Sequence, residues 1–444
     1  MSKNIRRFMV AIALFWLWFA CPPSGAAQAA TNYYVATTGS DSATGTSSQP
    51  WRTISKAVKM AKPGTTIHVA PGTYNESVWI STSGKPGAPI TLVSDQKWGA
   101  HIIGTIAPPP IPGANYKPAV DIRGGYINFV NFAVSAPQGD LGIMVTGAHG
   151  VASHDRIIGN DVYDVSGPCK RGECSPSHTA GGAGIALSNT TDNLNHDDDV
   201  IGNRVHDIGD PLNPQNADLV HGIYIELGGD LEYPAQADYS AKVQNNLIYR
   251  IEGDGITSWH CTSHAIVTNN TVFEAGVHGI LLSSSYRDCK IGDKGKPNAD
   301  SVVANNIVVR NGWHAVCAPQ IVRAHLCLRK DFGGGCGIAV GHALRARILN
   351  NLSNDNRCHS SNSGIIAISD PATARDVASD NIIGIKPLFV NYRADGSGDY
   401  HLRSGSPAID HGTNLDAPST DFDGTHRPQG AGYDIGAYEY IPGR

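Results

Sequence analysis

One asparagine recurs in the same apolar context along much of the chain. Successive copies are separated by 43, 43, 24, 36 and 45 residues: Asn160, Asn203, Asn246, Asn270, Asn306 and Asn351. The 24-residue interval is the most restrictive, because a unit that short holds only a few strands and turns. Such a unit cannot bury an apolar face alone and must stack on its neighbours. The spacing predicts a solenoid whose stacked asparagines satisfy buried backbone groups at a turn.

A Gly-Ile pair opens a second apolar stretch in each coil. The glycines of these pairs are Gly142, Gly184, Gly222, Gly255, Gly279, Gly337 and Gly364. In the shortest coil, 15 residues separate Gly255 from Asn270 and 9 more lead to Gly279, so only short strands fit. Alternation with a period of two and 50 glycines indicate half-buried strands joined by turns. The pattern predicts an all-β parallel β-helix with at least two strands per coil.

The N-terminus carries the pattern of a secretory signal peptide. Lys3, Arg6 and Arg7 precede an apolar run at residues 8–20, and residues 27–29 offer a small-x-small cleavage site. The run is too short to span a membrane. Cys21 leaves a lipoprotein as the alternative. We therefore expect residues 1–29 to be removed and the mature chain to be secreted or periplasmic, without a membrane span.

Charge and cysteine content fit an exported, acidic monomer. Losing the three positive charges of residues 1–29 takes the formal net charge from −5 to −8, which argues against a nucleic-acid partner. Of the 9 cysteines only Cys21 precedes residue 30, which leaves an even number in an oxidising compartment. Disulfides are therefore predicted, with Cys169 and Cys174 closing a loop.

Both ends of the chain resemble known proteins. Residues 33–41, 49–57 and 62–74 resemble the N-terminal segment of bacterial pectate-lyase-like β-helix proteins, and residues 399–412 and 421–439 resemble their C-terminal segment. The resemblance implies a right-handed parallel β-helix. Residues 53–61 predict a helix that caps the open strand edges, followed by a first strand at residues 66–69. The expected regions are 1–29 (signal peptide), 30–90 (cap and first strands), 91–395 (β-helix) and 396–444 (C-terminal cap).

In the middle of the solenoid, the residue before the Gly-Ile pair is a titratable one: His221, Asp254 and His278 occupy this position in three consecutive coils. Equivalent positions in register lie about 4.8 Å apart, so the side chains would form a column within hydrogen-bond reach. A polar residue that merely completes a turn would give the same pattern. We take the column as the candidate catalytic centre.

Side chains next to the column are predicted to face the same way. In the coil of His221 these are Tyr224 and Glu226, and in the next coil Thr257 and Trp259. Aromatic faces suit the C–H face of a sugar ring, so Tyr224, Trp259 and the neighbouring His260 are candidate substrate-binding residues. Glu226 is a candidate catalytic carboxylate.

A second column lies four residues after each recurring asparagine, and all of its members are charged: Asp164, Asp207, Arg250, Glu274, Arg310 and Asp355. One interpretation is a surface salt-bridge ladder, which contributes little to stability. The other is a groove for an anionic polymer. In that case Arg250 would be the cationic helper of the His221 column, and Arg310 would bind substrate.

Two segments, residues 216–218 and 253–255, resemble the calcium-site region of family-nine pectate lyases. This resemblance implies calcium as a cofactor, with Asp218 and Asp254 as ligands. The chain departs from that family's pattern in two places. Gly253 precedes Asp254 where the pattern has a second acid, and Thr257 stands where it has a third.

The pectate-lyase-like group includes polysaccharide lyases, glycoside hydrolases and uronate epimerases, so the resemblance implies a fold rather than one activity. The sequence favours an exported carbohydrate-active enzyme that cleaves a uronate-containing polysaccharide by β-elimination, through His221, Asp254, His278 and Arg250. The alternatives are a hydrolase or epimerase that uses Glu226 and Asp254 as its acid and base, and a non-catalytic glycan binder or adhesin.

Overall fold

Each coil of the chain forms short strands that pair with strands of the coils before and after it. The computed structural model describes residues 31–105, 116–146, 153–166, 182–188, 197–210, 219–226, 240–259, 262–283, 290–291, 294–295, 298–312, 335–341, 343–357, 367–368 and 377–443. The predicted signal peptide, Asp218, His260 and every cysteine except Cys336 lie outside these residues.

Three long parallel sheets run the length of the solenoid, with 11, 9 and 10 strands among the described residues. Sheet 1 contains Thr31–Val35, Thr65–Val69, Ile90–Ser94, Ile127–Val130, Arg156–Ile158, Asp198–Ile201, Ala241–Gln244, Ala265–Thr268, Val302–Ala304, Arg347–Leu349 and Val377–Ser379. Sheet 2 contains Val78–Ile80, Pro118–Ile122, Leu141–Thr146, Gly182–Ser188, Val220–Glu226, Asp254–Ser258, Ile280–Ser283, Ile338–Gly341 and Ala367–Ile368. Sheet 3 contains Gly72–Asn75, Ala100–Ile103, Ala133–Ala136, Asp161–Val165, Arg204–Ile208, Leu247–Ile251, Thr271–Ala275, Ile307–Val309, Leu352–Asn354 and Ile382–Ile383.

Three smaller strand pairs lie outside these sheets. Lys290–Ile291 pairs antiparallel with Lys294–Gly295, Asn298–Ala299 parallel with Ala343–Leu344, and Phe389–Asn391 antiparallel with Asp399–Leu402. The predicted parallel β-helix is confirmed, and it has three strands per coil rather than the minimum of two. The inward-facing side chains of the three sheets form one continuous apolar core.

The predicted N-terminal helix is present at Ile54–Met60. Thr53 begins it as N-cap, and its hydroxyl accepts a hydrogen bond from the backbone N–H of Lys56 at 3.2 Å, as expected for a helix start. The helix buries its side chains Ile54, Ala57 and Val58. The first strand of the solenoid, however, is Thr31–Val35, which precedes the helix and pairs with Thr65–Val69. The predicted strand at residues 66–69 is therefore present as Thr65–Val69, but it is the second strand of the chain and not the first.

The recurring asparagines form a buried ladder, as predicted. The backbone N–H of Asn160 donates to Asn203 Oδ1 at 2.9 Å, and Asn160 Nδ2 donates to the same oxygen at 3.0 Å. The same two bonds join every later neighbouring pair of the series Asn203, Asn246, Asn270, Asn306, Asn351 and Asn381. Each amide also bonds a strand carbonyl, so the turn leaves no amide group of the ladder unsatisfied.

The glycines of the Gly-Ile pairs stack where sheet 2 begins. A Cβ on Gly222 would lie 2.5 Å from the carbonyl oxygen of Gly255, and one on Gly255 would lie 2.6 Å from that of Gly279. Any side chain here would collide with the backbone of the next coil. This close approach explains why glycine recurs at the position.

The C-terminal segment packs against the outer face of sheet 3 instead of closing only the end of the solenoid. Its Tyr400, Ile435 and Tyr438 share a buried apolar cluster with Tyr249 and Phe273 of the sheet. An ion pair at 2.7 Å between Arg427 and Glu439, both fully buried, holds the segment together. No helix among the described residues is long and apolar enough to cross a membrane.

Candidate functional site

The polar column lies on the outward face of sheet 2, in the predicted register. His221 pairs with Ala183 on one side and with Asp254 on the other. The backbone N–H of His278, in the following coil, donates to Asp254 Oδ1 at 2.8 Å. The structure therefore brings the three predicted residues together.

Gly222 interrupts the alternation of the strand and changes which side chains face outward. The register continues from His221 to Ile223 without a partner for Gly222, and Ile223 and Ile225 are fully buried in the core. His221 and Tyr224 consequently lie on the same face, although three positions apart. Their rings stack with centroids 4.8 Å apart and an interplanar angle of 12°.

Asp254 is a buried, ionised carboxylate at the centre of the column. It is only 3% exposed, and its Oδ2 accepts a hydrogen bond from the Thr257 hydroxyl at 3.1 Å and lies 3.7 Å from His221 Nδ1. Burial acts to raise the pKa of this carboxyl. Hydrogen bonding and the adjacent imidazoles of His221 and His278 outweigh burial, so the pKa lies below its ordinary value.

Thr257 was predicted to face outward beside the column, and the structure places its hydroxyl in contact with two of the column residues. Its hydroxyl lies 2.9 Å from His221 Nδ1 as well as 3.1 Å from Asp254 Oδ2. Thr257 pairs with Tyr224 in the strand register, so it faces outward. Its place at the position of a family acid was the signal that could have identified it as a site residue.

His278 is held by backbone groups on both sides. Its own N–H binds Asp254, and its Nδ1 accepts a hydrogen bond from the N–H of Cys336 at 3.0 Å. Burial lowers the pKa of the His278 imidazole, against the opposing charge of Asp254, which favours the neutral ring. Cys336 is disulfide-bonded. The predicted Cys169–Cys174 loop lies outside the described residues and stays a prediction.

Two apolar clusters flank the column. Tyr224 packs on a cluster toward the N-terminal coils that contains Leu141, Met144, Ala183 and Ala186. Trp259 packs on a cluster toward the C-terminal coils that contains Leu281, Cys336 and Ala339. Glu226 lies on the same strand as Tyr224 and accepts a hydrogen bond from Ser188 Oγ at 3.2 Å. Tyr224 thus lies directly on His221, and Trp259 follows the strand Asp254–Ser258 of the next coil.

The predicted cationic residues lie on a different sheet. Arg250 belongs to sheet 3, and its Nη2 is 2.8 Å from Asp207 Oδ1. Arg310 follows the sheet 3 strand Ile307–Val309 and pairs with Glu274 at 2.6 Å and Asp355 at 3.1 Å. The placement of Arg250 beside His221 was therefore wrong, whereas the substrate-binding role of Arg310 stays a prediction. The chain turns a corner between Ile251 and Asp254, and the charged column forms the surface salt-bridge ladder of the alternative interpretation.

Of the two predicted calcium ligands, only Asp254 lies among the described residues, so the predicted calcium site stays a prediction. Asp254 directs its oxygens to Thr257 and to the His278 N–H, and it is buried beneath His221. A calcium ion takes six to eight oxygen ligands. Within the part of the chain that the structure describes, no three His, Cys, Asp or Glu side chains are grouped to hold a metal. Asp218 lies outside that part.

The architecture and the outward polar column define a right-handed parallel β-helix of the pectate-lyase-like class. A family model described as the Pel9A-like, right-handed beta helix region matches residues 33–314. The chain belongs to this family.

Individual relatives are distant. Uncharacterized protein YwoF of Bacillus subtilis (strain 168) is 29% identical over 140 residues, which is 30% of this chain and 28% of that protein. The crystal structure of pectate lyase Pel9A is similar with a TM-score of 0.53 and 16% identity, covering 93% of this chain and 96% of that one. A glycoside hydrolase structure has a TM-score of 0.48 and 8% identity, covering 79% and 96%. At these identities the similarity of the Pel9A structure shows the fold alone.

Proposed function

We propose that this chain is an exported polysaccharide lyase that cleaves a uronate-containing glycan by β-elimination, with His221 as the base. The observation that carries the proposal is an imidazole on the outward face of the solenoid, 3.7 Å from a buried carboxylate and stacked on a tyrosine. A negative charge at this distance stabilises the imidazolium that forms when the ring takes up a proton. The likeness to a pectate lyase supports a uronate polymer as substrate, and residues 1–29 support export.

The reaction needs a base at one carbon of the substrate. His221 would remove the proton from the carbon that bears the carboxyl group, and the freed electron pair would form a double bond to the neighbouring carbon. The bond from that carbon to the glycosidic oxygen breaks, and the oxygen takes a proton from water. General base catalysis of this kind contributes typically about 10²–10⁴-fold in rate. Tyr224 and Trp259 would bind the sugars on either side.

The same geometry argues against Asp254 as the acid of a hydrolase. A glycosidase acid must hold a proton and present it to the leaving oxygen. Asp254 is buried, accepts hydrogen bonds at both oxygens, and its carboxyl has a lowered pKa. It suits the support of a base better than the donation of a proton. Epimerisation would begin with the same proton removal but leave the polymer length unchanged.

The test is a screen of the purified mature chain on acidic and neutral polysaccharides, with calcium or with a chelator. Elimination raises both the ultraviolet absorbance of the unsaturated product and the number of reducing ends. The His221→Gln variant should lose about 10²–10⁴-fold in turnover. The control is His68→Gln, because His68 lies in sheet 1 and is paired with Asp95.

Three results would contradict the proposal. New reducing ends without absorbance would indicate a hydrolase. Binding without turnover would indicate a glycan-binding protein. Equal activity of the His221→Gln and His68→Gln variants would remove His221 from the mechanism.

A further inference from the structure

A threonine hydroxyl stands between the buried carboxylate and the candidate base. Thr257 Oγ1 is 3.1 Å from Asp254 Oδ2 and 2.9 Å from His221 Nδ1. A hydroxyl has one proton to donate, and an ionised carboxylate can only accept. The Thr257 proton must therefore point to Asp254. The lone pairs of the same oxygen then accept a hydrogen bond, which His221 donates from Nδ1–H.

This order of donors fixes the tautomer of His221. A neutral imidazole carries one proton, so a ring that is protonated at Nδ1 has a lone pair at Nε2. Nε2 lies on the far side of the ring from Thr257. The nitrogen that can accept a proton from a substrate is thus the one directed away from the buried carboxylate.

The second histidine of the column is held the opposite way. The backbone N–H of Cys336 donates to His278 Nδ1 at 3.0 Å, and a backbone N–H cannot accept. Neutral His278 therefore carries its proton on Nε2. Of the two histidines in the column, only His221 keeps a lone pair at Nε2, so the two cannot exchange roles.

We propose that Thr257 is a positioning residue for the elimination, holding His221 in the Nδ1–H tautomer by relaying the hydrogen bond of Asp254. The role in turnover rests on the function proposed above, whereas the tautomer does not depend on any substrate. When His221 takes up a proton at Nε2, its Nδ1–H remains bonded to Thr257. The ring need not turn during the reaction, and its stacking on Tyr224 is kept.

The direct test is nitrogen NMR of the full mature chain with isotope-labelled histidine, at alkaline pH where imidazoles are neutral. The chain has 18 histidines, and the His221 signals are those that vanish in His221→Gln. We expect wild-type His221 to show a protonated Nδ1 and an unprotonated Nε2. Thr257→Val should give a mixture of tautomers, and Thr257→Ser should keep the wild-type pattern. A wild-type His221 protonated at Nε2, or an unchanged pattern in Thr257→Val, would overturn the inference.

Kinetics then separate this inference from the proposed function. Thr257→Val should lower kcat roughly 10²-fold with little change in KM, and Thr257→Ser should stay within about threefold of wild type. A change in KM with an unchanged kcat, or equal losses of kcat in both variants, would refute a positioning role. Should no glycan be cleaved by wild type while the tautomer shifts in Thr257→Val, the proposed reaction fails and the assignment of Thr257 to the His221 tautomer stands.

Discussion

A stacked pair of buried carboxyls offers a sharp test of how the turns of this solenoid are stabilised. The Ile127 N–H donates to Asp155 Oδ1 at 2.7 Å, and the Asp155 N–H donates to Asp198 Oδ1 at 2.9 Å. This pattern is that of the asparagine ladder, in which the Asn160 N–H donates to Asn203 Oδ1 at 2.9 Å. Among the described residues, however, Oδ2 of both Asp155 and Asp198 is buried without a hydrogen-bond partner.

The charged form of this pair is disfavoured in the fold. Burial raises the pKa of both carboxyls well above the ordinary 3.8, and the charge of Asp198 adds to the rise at Asp155. At pH values below 3.8 the folded and unfolded chains both keep these protons, so the pair does not affect stability there. As the pH rises toward the raised pKa, the unfolded chain releases protons that the folded chain retains, and the free energy of unfolding falls.

Asparagine at position 155 should remove this loss. Its Nδ2 could donate to Asp198 Oδ1, as Asn160 Nδ2 donates to Asn203 Oδ1 at 3.0 Å. Relieving one unsatisfied buried polar atom is worth about 1–3 kcal/mol. We therefore expect Asp155→Asn to raise the free energy of unfolding by about that amount near pH 8 and by much less near pH 4.

Denaturant unfolding followed by far-ultraviolet circular dichroism at the two pH values measures the effect. Asn160→Asp is the matched reverse exchange in the neighbouring ladder, and it should lose stability at pH near 8 by a similar amount, about 1–3 kcal/mol. Destabilisation of Asp155→Asn near pH 8 would refute the reasoning, because it would mean that the fold stabilises an ionised carboxylate at this position.

Two further predictions concern sheet 3 and the segment that covers it. His206 pairs with Asp161 at 3.2 Å and Asp207 at 2.7 Å; burial acts to lower the pKa of its imidazole, but these bonds raise it above the ordinary 6.5. His206→Phe should therefore destabilise the chain most below pH 6.5, and this loss of stability should fade as the pH rises through the raised pKa. Thermal unfolding at both ends of that pH range measures the difference. Arg427→Met leaves buried Glu439 unpaired and should lower the free energy of unfolding by about 3–5 kcal/mol. The double variant Arg427→Met with Glu439→Gln should recover part of this loss. Equal rates of proteolysis of the C-terminal segment in wild type and Arg427→Met would contradict the prediction.

The fold could be predicted because two recurring positions of the coils accept only one type of residue, asparagine at the buried turn and glycine at the start of sheet 2. The buried turn needs a side chain that both donates and accepts hydrogen bonds. Asn270, for example, donates from its backbone N–H and from Nδ2 to Asn306 Oδ1, and from Nδ2 to the carbonyl of Val243. The backbone contact at Gly222 excludes any Cβ. Residues at a fixed offset from these marks must stack, which is why the His221, Asp254 and His278 column was found.

What the sequence missed depends on corners and distant contacts. Arg250 is four residues before Asp254, but a corner between them places it on sheet 3, and no residue pattern showed where the strand turns. Thr257 carries no charge, and its role depends on two distances within a coil pair. The C-terminal segment docks on strands about 180 residues earlier, as in the bond from Arg427 to Asn245.

Cleavage in oxygen-labelled water tests the central claim most directly. Elimination breaks the bond between carbon and the glycosidic oxygen without adding water to the polymer. The glycosidic oxygen stays on the new reducing end, unlabelled apart from slow exchange, and the other new end gains a double bond and no oxygen from water. The proposed role of His221 predicts that each cut gives one product with an unsaturated uronate and one with an ordinary reducing end, and that their combined mass equals that of the intact chain. Products heavier by one labelled water, with no unsaturated end, would show hydrolysis and contradict the account.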